Sequence, residues 1–293
     1  MKAAVVVNPT KHDNMAKFQA RVGEAMARHA WDQPLWLETT PRDPGQGLAR
    51  SAVAARVDLV LASGGDGTVT ACAEAVAGSG IPLGVLPAGT GNLLARNLGL
   101  PLDFEAALAA ALTGVDRRLD MGSANGHPFV AMAGIGFDAK LLDAAGEPVK
   151  KRLGWAAYVL AAARHLQARP VRASLRADGG PVLRRRASSV IVGNVGALQG
   201  GVALLPEARP DDGLLDLMVL TARGGVGWLA VMVDVLLRRG QTRRIARVQF
   251  RQLRVDLDRP QLWELDGEVM GSAQALVIIV RPGALLVRVP ATA

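Results

Sequence analysis

Leu59-Val-Leu-Ala-Ser-Gly-Gly-Asp-Gly-Thr68 and Ile81-Pro-Leu-Gly-Val-Leu-Pro-Ala-Gly-Thr-Gly-Asn92 repeat one pattern: an apolar strand halts at a glycine-rich turn, and helix-forming residues follow. Residues 58–62 and 83–86 read as short buried strands. Gly64 and Gly65 tolerate backbone angles that a side chain would forbid, and Thr68 is expected to cap the next helix. Two adjacent parallel strands would deliver both turns to one carboxyl edge, the edge where open α/β sheets bind ligands. Glycine-rich backbone lets phosphate oxygens approach N–H groups, and a helix start adds partial positive charge. The pair therefore reads as a phosphate cradle made of two loops.

Working outward, Lys2 to Val7 is an apolar, valine-rich strand ended by Asn8-Pro9. Residues 16–29 follow as an amphipathic helix, 35–39 as a strand, 40–45 as a loop, and 48–55 and 104–112 as helices. This alternation predicts a parallel sheet covered by helices on both faces. Near Asp120 the texture changes, and strands crowd together at 117–121, 128–133, 171–177, 182–192, 214–220, 247–257, 261–265, 275–281 and 284–289. Helices are expected at 155–167 and 226–239. A second, mostly antiparallel domain, a β-sandwich, follows from this pattern. The expected division is a nucleotide-binding α/β domain over 1–122 and a β-rich substrate domain over 123–283.

At 293 residues, 50% hydrophobic and 20% charged, the chain can bury a large core. Its 34 basic and 26 acidic residues leave +8, which favours an anionic partner: nucleotide, anionic membrane or nucleic acid. Aromatics are only 4%, so stacking platforms for single strands are poorly supplied. Cys72 is the one cysteine; it excludes a disulfide framework and a cysteine-based zinc site, and reads as a small core residue. No signal-peptide pattern opens the sequence, and no run approaches the ~18 apolar residues of a spanning helix. A cytoplasmic protein, peripheral to the membrane, is the expectation. No Walker-type Gly-x-x-x-x-Gly-Lys-Ser/Thr occurs.

The loops Gly64-Gly-Asp-Gly-Thr68 and Pro87-Ala-Gly-Thr-Gly-Asn92 resemble the nucleotide loops of the diacylglycerol kinase and sphingosine kinase-like family, whose first loop NAD kinases share. The resemblance spans nearly the whole chain. Asn8-Pro9, Gly134-Ile-Gly-Phe-Asp-Ala139, Asp211-Asp212-Gly213 and Asp266-Gly267-Glu268 fall in the order of a bacterial soluble lipid kinase. It implies an NAD kinase-like α/β domain, a last strand near 284–290 that returns to it, and transfer of phosphate from ATP to a lipid hydroxyl with Mg²⁺. Diacylglycerol is the leading acceptor. A soluble hydroxyl substrate such as NAD stays open as the alternative, as does a non-enzymatic basic protein binding membrane or nucleic acid. Partners are then the lipid and a peripheral membrane surface, without nucleic acid, and with a homodimer as a candidate assembly.

By the same resemblance, Gly64, Gly65, Asp66, Gly67, Thr68, Thr90 and Asn92 line the ATP site, joined by Thr40 with Thr39 as the near alternative. Thr90 and Asn92 read equally as helix caps. Glu268 becomes the general base and Asp266 support for the metal or its waters, although Asp-Gly alone is a common hairpin turn. Asp120 matches another carboxylate of that network. Asp212, with the carbonyls of Arg209 and Leu214, becomes a structural Mg²⁺ site, an oxygen-only set that suits a hard cation. Two departures stand out: Leu93 occupies a position where many relatives carry aspartate, and Asn8-Pro-Thr-Lys-His12 lacks the usual Ser-Gly. Lys11 reads as a solvated lysine or a phosphate contact. Gly134-Ile-Gly136 fits a dinucleotide pattern but sits in the strand-rich half, so packing at the domain interface is expected of it. The four histidines lack ligand spacing. Basic clusters at 150–152, 184–186, 238–239 and 243–244 read as solvated faces or as a membrane-facing rim.

Overall fold

A computed structural model describes residues 1–136, 170–197, 203–222, 227, 230–231, 233–234, 242 and 245–291. The helix expected at 155–167, the basic clusters at 150–152, 238–239 and 243–244, and Phe137-Asp-Ala139 lie outside the described residues. Of the helix expected at 226–239, only 227, 230, 231, 233 and 234 are described, and they are helical. The chain divides into two compact units: Met1–Met121 with Pro282–Ala293, and Gly122–Arg281.

The first unit is an α/β layer structure. Strands β1 (Ala3–Val7), β2 (Leu35–Glu38), β3 (Leu59–Gly64) and β4 (Leu83–Pro87) pair in parallel, in the order β2-β1-β3-β4. The end of strand β14 (Glu268–Val289) pairs in parallel with β4 through Val287 and Leu83. β1 and β3 are buried along their whole lengths, which explains their unbroken apolar sequence. Helices α1 (Met15–Arg28) and α5 (Phe104–Thr113) cover one face, where Val22, Met26 and Leu108 pack on Val5, Leu59 and Leu61. Two more helices, α2 (Gln46–Ala54) and α3 (Asp66–Val76), pack on each other, and Cys72 of α3 is buried near Val6 and Gly45. Asn14 caps α1 by accepting from the Lys17 N–H, and Asp103 caps α5 by accepting from the Ala106 N–H. The short helix α4 (Leu93–Asn97) follows the second glycine-rich loop.

The second unit is antiparallel throughout its described strands. They are β6 (His127–Phe129), β7 (Met132–Ile135), β8 (Val171–Ala177), β9 (Leu183–Ala187), β10 (Ser189–Gly193), β11 (Leu215–Leu220), β12 (Ile245–Phe250), β13 (Gln252–Leu265) and the first part of β14. Strand β5 (Val115–Ala124) enters it from the first unit's sequence and pairs with β6. β13 switches partners along its length: Leu253–Leu257 pair with β8, and Trp263–Leu265 pair with β7. Its pairing with β14 shifts register between Asp256 and Gln261 and again between Trp263 and Glu264. The two halves thus close on one core containing Phe129, Val190, Leu217, Leu253, Val255 and Ile278, a sandwich-like arrangement.

Four strand expectations are corrected. Residues 128–133 form parts of two strands, and 182–192 divides at Ser188, whose hydroxyl donates to the Ala222 carbonyl. The break expected at 258–260 lies instead at Arg251, where the Asp178 carboxylate accepts the N–H groups of Arg251 and Gln252. The gap expected at Pro282-Gly283 is absent, and β14 runs through it with Gly283 at φ +57°.

Candidate functional site

Along the carboxyl edge of the first unit's parallel strands, four connections gather. Asn8 follows β1 and its N–H donates to the Ser63 carbonyl at 2.8 Å; Thr39 follows β2 and its N–H donates to the Val7 carbonyl. β3 ends at Gly64 and β4 at Pro87, with those two residues in direct register. The Ala88 N–H donates to the Gly64 carbonyl at 3.0 Å. A methyl group added to Gly89 would lie 2.7 Å from the Gly65 Cα, closer than real side chains approach backbone. The two loops are therefore in backbone contact, and only glycine at 89 permits it.

Each loop has its own lock. Asp66 is the first residue of α3, and its carboxylate accepts the Leu93 N–H. Asn92 bridges its own loop, with Oδ1 accepting the Gly89 N–H and Nδ2 donating to the Gly89 carbonyl. It adopts φ +48°, a left-handed conformation that asparagine tolerates better than most residues. Thr90 and Gly67 are exposed and Gly64 is buried. Thr68 corrects an expectation: it lies inside α3 rather than capping it, buried against Gly64. Gly65 holds the cap position, without a side chain to shield the first N–H groups of α3. Exposed Thr40 accepts the Asp43 N–H on its Oγ1, whereas Thr39 is buried. Asp120 is buried, and its carboxylate accepts the Gly283 N–H at 2.7 Å.

His12 was not singled out by its sequence, yet it reaches this edge. Its Nε2 lies 3.1 Å from the Ser63 hydroxyl, and its ring lies 4.0 Å from that of Phe18. Burial pulls the imidazole pKa down, with Asp13 opposing. Cys72, behind the loop, is chemically quiet: burial, reinforced by Asp43, pushes its thiol up to about 12.

In the second unit, Asp266 and Gly267 form a two-residue turn between β13 and β14, and Glu268 follows it. Asp266 and Gly267 both have positive φ, +48° and +90°, as a type I′ hairpin demands. The Asp266 carboxylate accepts three backbone N–H groups at 2.8 Å: Val130 on Oδ2, Ala131 and Met132 on Oδ1. These three contacts anchor the turn to residues 130–132. Glu268 is exposed at the start of β14. Buried Asn194, also missed in the sequence, completes this clamp by donating from Nδ2 to the Val130 carbonyl. Within the second unit, a Cβ on Gly134 would meet the Glu264 side chain, and one on Gly136 the Ser188 carbonyl.

Asp212 accepts the Leu214 N–H, and Arg209 pairs with Asp211 at 3.7 Å. Asp216 nearby has its carboxyl pushed up to about 6, chiefly by burial and further by Asp212 and Glu207, against the opposing Gln249 hydrogen bond and Arg247. Oxygen donors with surplus negative charge fit a hard cation. Among the described residues no three acidic, histidine or cysteine side chains cluster as a metal site.

Residues 2–124 match the diacylglycerol kinase catalytic domain, and residues 131–289 match the YegS C-terminal NAD kinase beta sandwich-like domain. A Pseudomonas aeruginosa protein named "Probable lipid kinase YegS-like" is 36% identical over 249 residues, 83% of this chain and 80% of that one. The diacylglycerol kinase of Bacillus subtilis is 28% identical over 278 residues, 92% of this chain and 90% of that one. A Bacillus anthracis diacylglycerol kinase structure superposes with TM-score 0.76 at 22% identity, covering 99% of this chain and 97% of its own. An Archaeoglobus fulgidus NAD kinase in complex with ATP gives 0.54 at 17%, covering 98% and 93%, which shows the shared fold. These lipid- and diacylglycerol-kinase relatives make the chain a kinase-type phosphotransferase with an alcohol acceptor. The chain belongs to the diacylglycerol kinase catalytic-domain family, in its YegS-like lipid-kinase branch.

Proposed function

We propose that this protein is an ATP-dependent lipid kinase that converts diacylglycerol to phosphatidic acid. The observation that carries the reading is the backbone contact between the loops at 64–68 and 87–92, which sets the open N-terminus of α3 beside a second glycine-rich turn. In this reading the α/β unit binds ATP. The backbone of Gly64, Gly65 and Gly67 and the N–H of Thr68 face the phosphates, with Thr40, Thr90 and Asn92 around the nucleotide. The β-rich unit accepts the lipid.

Phosphoryl transfer to a hydroxyl needs positioning, charge neutralisation and a carboxylate near the attacking oxygen. Glu268 is proposed to take the hydroxyl proton, and Asp266 holds the turn that presents it. Mg²⁺ would be held by Asp66, whose second oxygen accepts no protein donor among the described residues, with Asp120 in the same carboxylate network. When bound it would neutralise charge on the phosphates. A second, structural Mg²⁺ would sit on Asp212 with the carbonyls of Arg209 and Leu214. The protein is proposed to work in the cytoplasm, peripherally at the membrane.

The test is incubation of the purified protein with labelled ATP and separate diacylglycerol, sphingoid, glycerolipid and NAD acceptors, with and without Mg²⁺. Label is expected in phosphatidic acid, dependent on Mg²⁺. Label in NADP alone would overturn the lipid reading.

A further inference from the structure

Strands β9, β8, β13 and β14 lie side by side in the second unit, and their alternate residues point away from the core. On the outward face Arg172, Arg176, Arg184 and Arg186 are all exposed. Their inward neighbours Val171, Ala173, Leu175 and Ala187 are buried. The register sets Arg186 directly opposite Arg172, and Arg176 directly opposite Arg254. Like charges opposed across a sheet are destabilising. The only balancing acids on the described face are Asp256, paired with Arg254 at 2.8 Å, and Asp258, which accepts the Arg172 N–H. None of the four arginines forms an ion pair among the described residues. An arrangement that costs stability in isolation becomes favourable against an anionic surface.

The same face carries two branched aliphatics. Val277 lies opposite Arg254 and is 37% exposed; Ile279 lies opposite Gln252 and is 40% exposed. No aromatic side chain sits among the described outward positions of these four strands, so bases have nothing to stack on. Arginines around small aliphatics match a bilayer interface, where guanidinium groups meet lipid phosphate and short apolar side chains enter the headgroup boundary.

We infer that the outward face of β9-β8-β13-β14 is a docking surface for anionic phospholipid bilayers, with Arg172, Arg176, Arg184 and Arg186 as phosphate contacts and Val277 and Ile279 as shallow apolar anchors. The inference deepens the lipid-kinase reading by naming the surface that meets the membrane. It can be tested without nucleotide or acceptor, so its failure is separate from failure of that reading.

The experiment is sedimentation of the full chain with phosphatidylcholine vesicles, with or without phosphatidylglycerol. Wild type is expected to bind the anionic vesicles selectively. Each arginine replaced by glutamine should weaken that binding roughly five-fold, and the quadruple Arg172→Gln/Arg176→Gln/Arg184→Gln/Arg186→Gln on the order of several hundred-fold. Its melting temperature should not fall, because opposed charges are removed. A charge-matched control, Lys17→Gln/Arg28→Gln/Arg50→Gln/Arg56→Gln, should bind nearly as wild type. Val277→Ser/Ile279→Ser should weaken binding at high salt, where the charge contribution is screened. Undiminished binding by the arginine quadruple, or equal loss by the control, overturns the inference. So does capture of single-stranded nucleic acid in preference to the vesicles. Should the quadruple melt early, the pair Arg172→Gln/Arg186→Gln carries the same test.

Discussion

Substituting Gly89 tests the cradle most directly. The added methyl of Gly89→Ala would sit 2.7 Å from the Gly65 Cα and 3.2 Å from Asn92 Oδ1. Carbon–carbon contacts settle near 3.5–4.0 Å, so the loops must part by about 1 Å. Neither side of the contact is a flexible side chain. Gly65 is backbone at the start of α3, and Asn92 is held to Gly89 by two hydrogen bonds. A displacement of about 1 Å in a positioning group costs ~10²-fold in rate. The expected result is therefore roughly a hundredfold loss of kcat/KM for ATP, with weaker nucleotide binding by calorimetry and an unchanged far-ultraviolet spectrum. Two neighbours calibrate it. A methyl on Gly65 would meet the Gly89 Cα at 3.8 Å, ordinary contact, and one on Gly67 meets nothing within 4 Å. Gly65→Ala should therefore lose far less than Gly89→Ala. Gly67→Ala should leave the loop contact intact and gain up to ~1 kcal/mol of helix stability, so any loss of ATP binding there reports its methyl against the phosphates. Wild-type ATP binding and turnover in a folded Gly89→Ala protein would refute the reasoning that loop contact builds the phosphate site.

Glu268→Gln keeps the shape of the side chain but cannot accept a proton, so turnover should fall ~10²–10⁴-fold while ATP affinity, measured by titration, stays close to wild type. Asp266→Ala strands the Val130, Ala131 and Met132 N–H groups and should lower unfolding free energy by ~1–3 kcal/mol; its activity defect should not be relieved by raised Mg²⁺, which a titration of turnover against the metal will check. For His12 the folded pKa lies below the unfolded one. Its contribution to stability is thus fully present above the ordinary value of 6.5 and is lost as pH falls below it, where charging the half-buried ring favours the unfolded chain. Melting curves between pH 8 and pH 5 should show a steeper acid loss for wild type than for His12→Gln.

The first unit was legible because its cause is local. Fully buried parallel strands need unbroken apolar runs, and the turns at 64–65 and 87–91 need glycine, so both left marks in consecutive residues. In the second unit the elements were legible but their limits were not. Arg251 breaks a strand because Asp178, more than 70 positions away, takes its N–H, and no local pattern announces that. The same limit hid the site's supports. Asp266 read as a turn residue because Asp-Gly is a turn, while its three partners lie at 130–132 and are backbone groups that carry no sequence signal. Thr68 was misplaced because a threonine near a helix start resembles a cap. The helix begins two residues earlier, and the hydroxyl turns inward against Gly64.

The departure at residue 93 gains a physical meaning from the same contacts. A leucine where the family resemblance leads one to expect a carboxylate looks like a loss for a metal network. The contact that Asp66 makes there is to the Leu93 N–H, which any residue but proline supplies. Leu93 opens α4, so that N–H is one of the donors a helix start leaves without an intrahelical partner. The aspartate at the start of one helix therefore satisfies the start of the next, and joins the two glycine-rich loops whatever side chain stands at 93. An aspartate introduced there would add negative charge beside Asp66. Leu93→Asp should thus weaken ATP binding when Mg²⁺ is withheld and restore it as Mg²⁺ is supplied, whereas Leu93→Pro should break the Asp66 contact itself and lose binding at every Mg²⁺ concentration. If both variants bound ATP as wild type does without metal, the junction between Asp66 and residue 93 would have no part in holding the nucleotide.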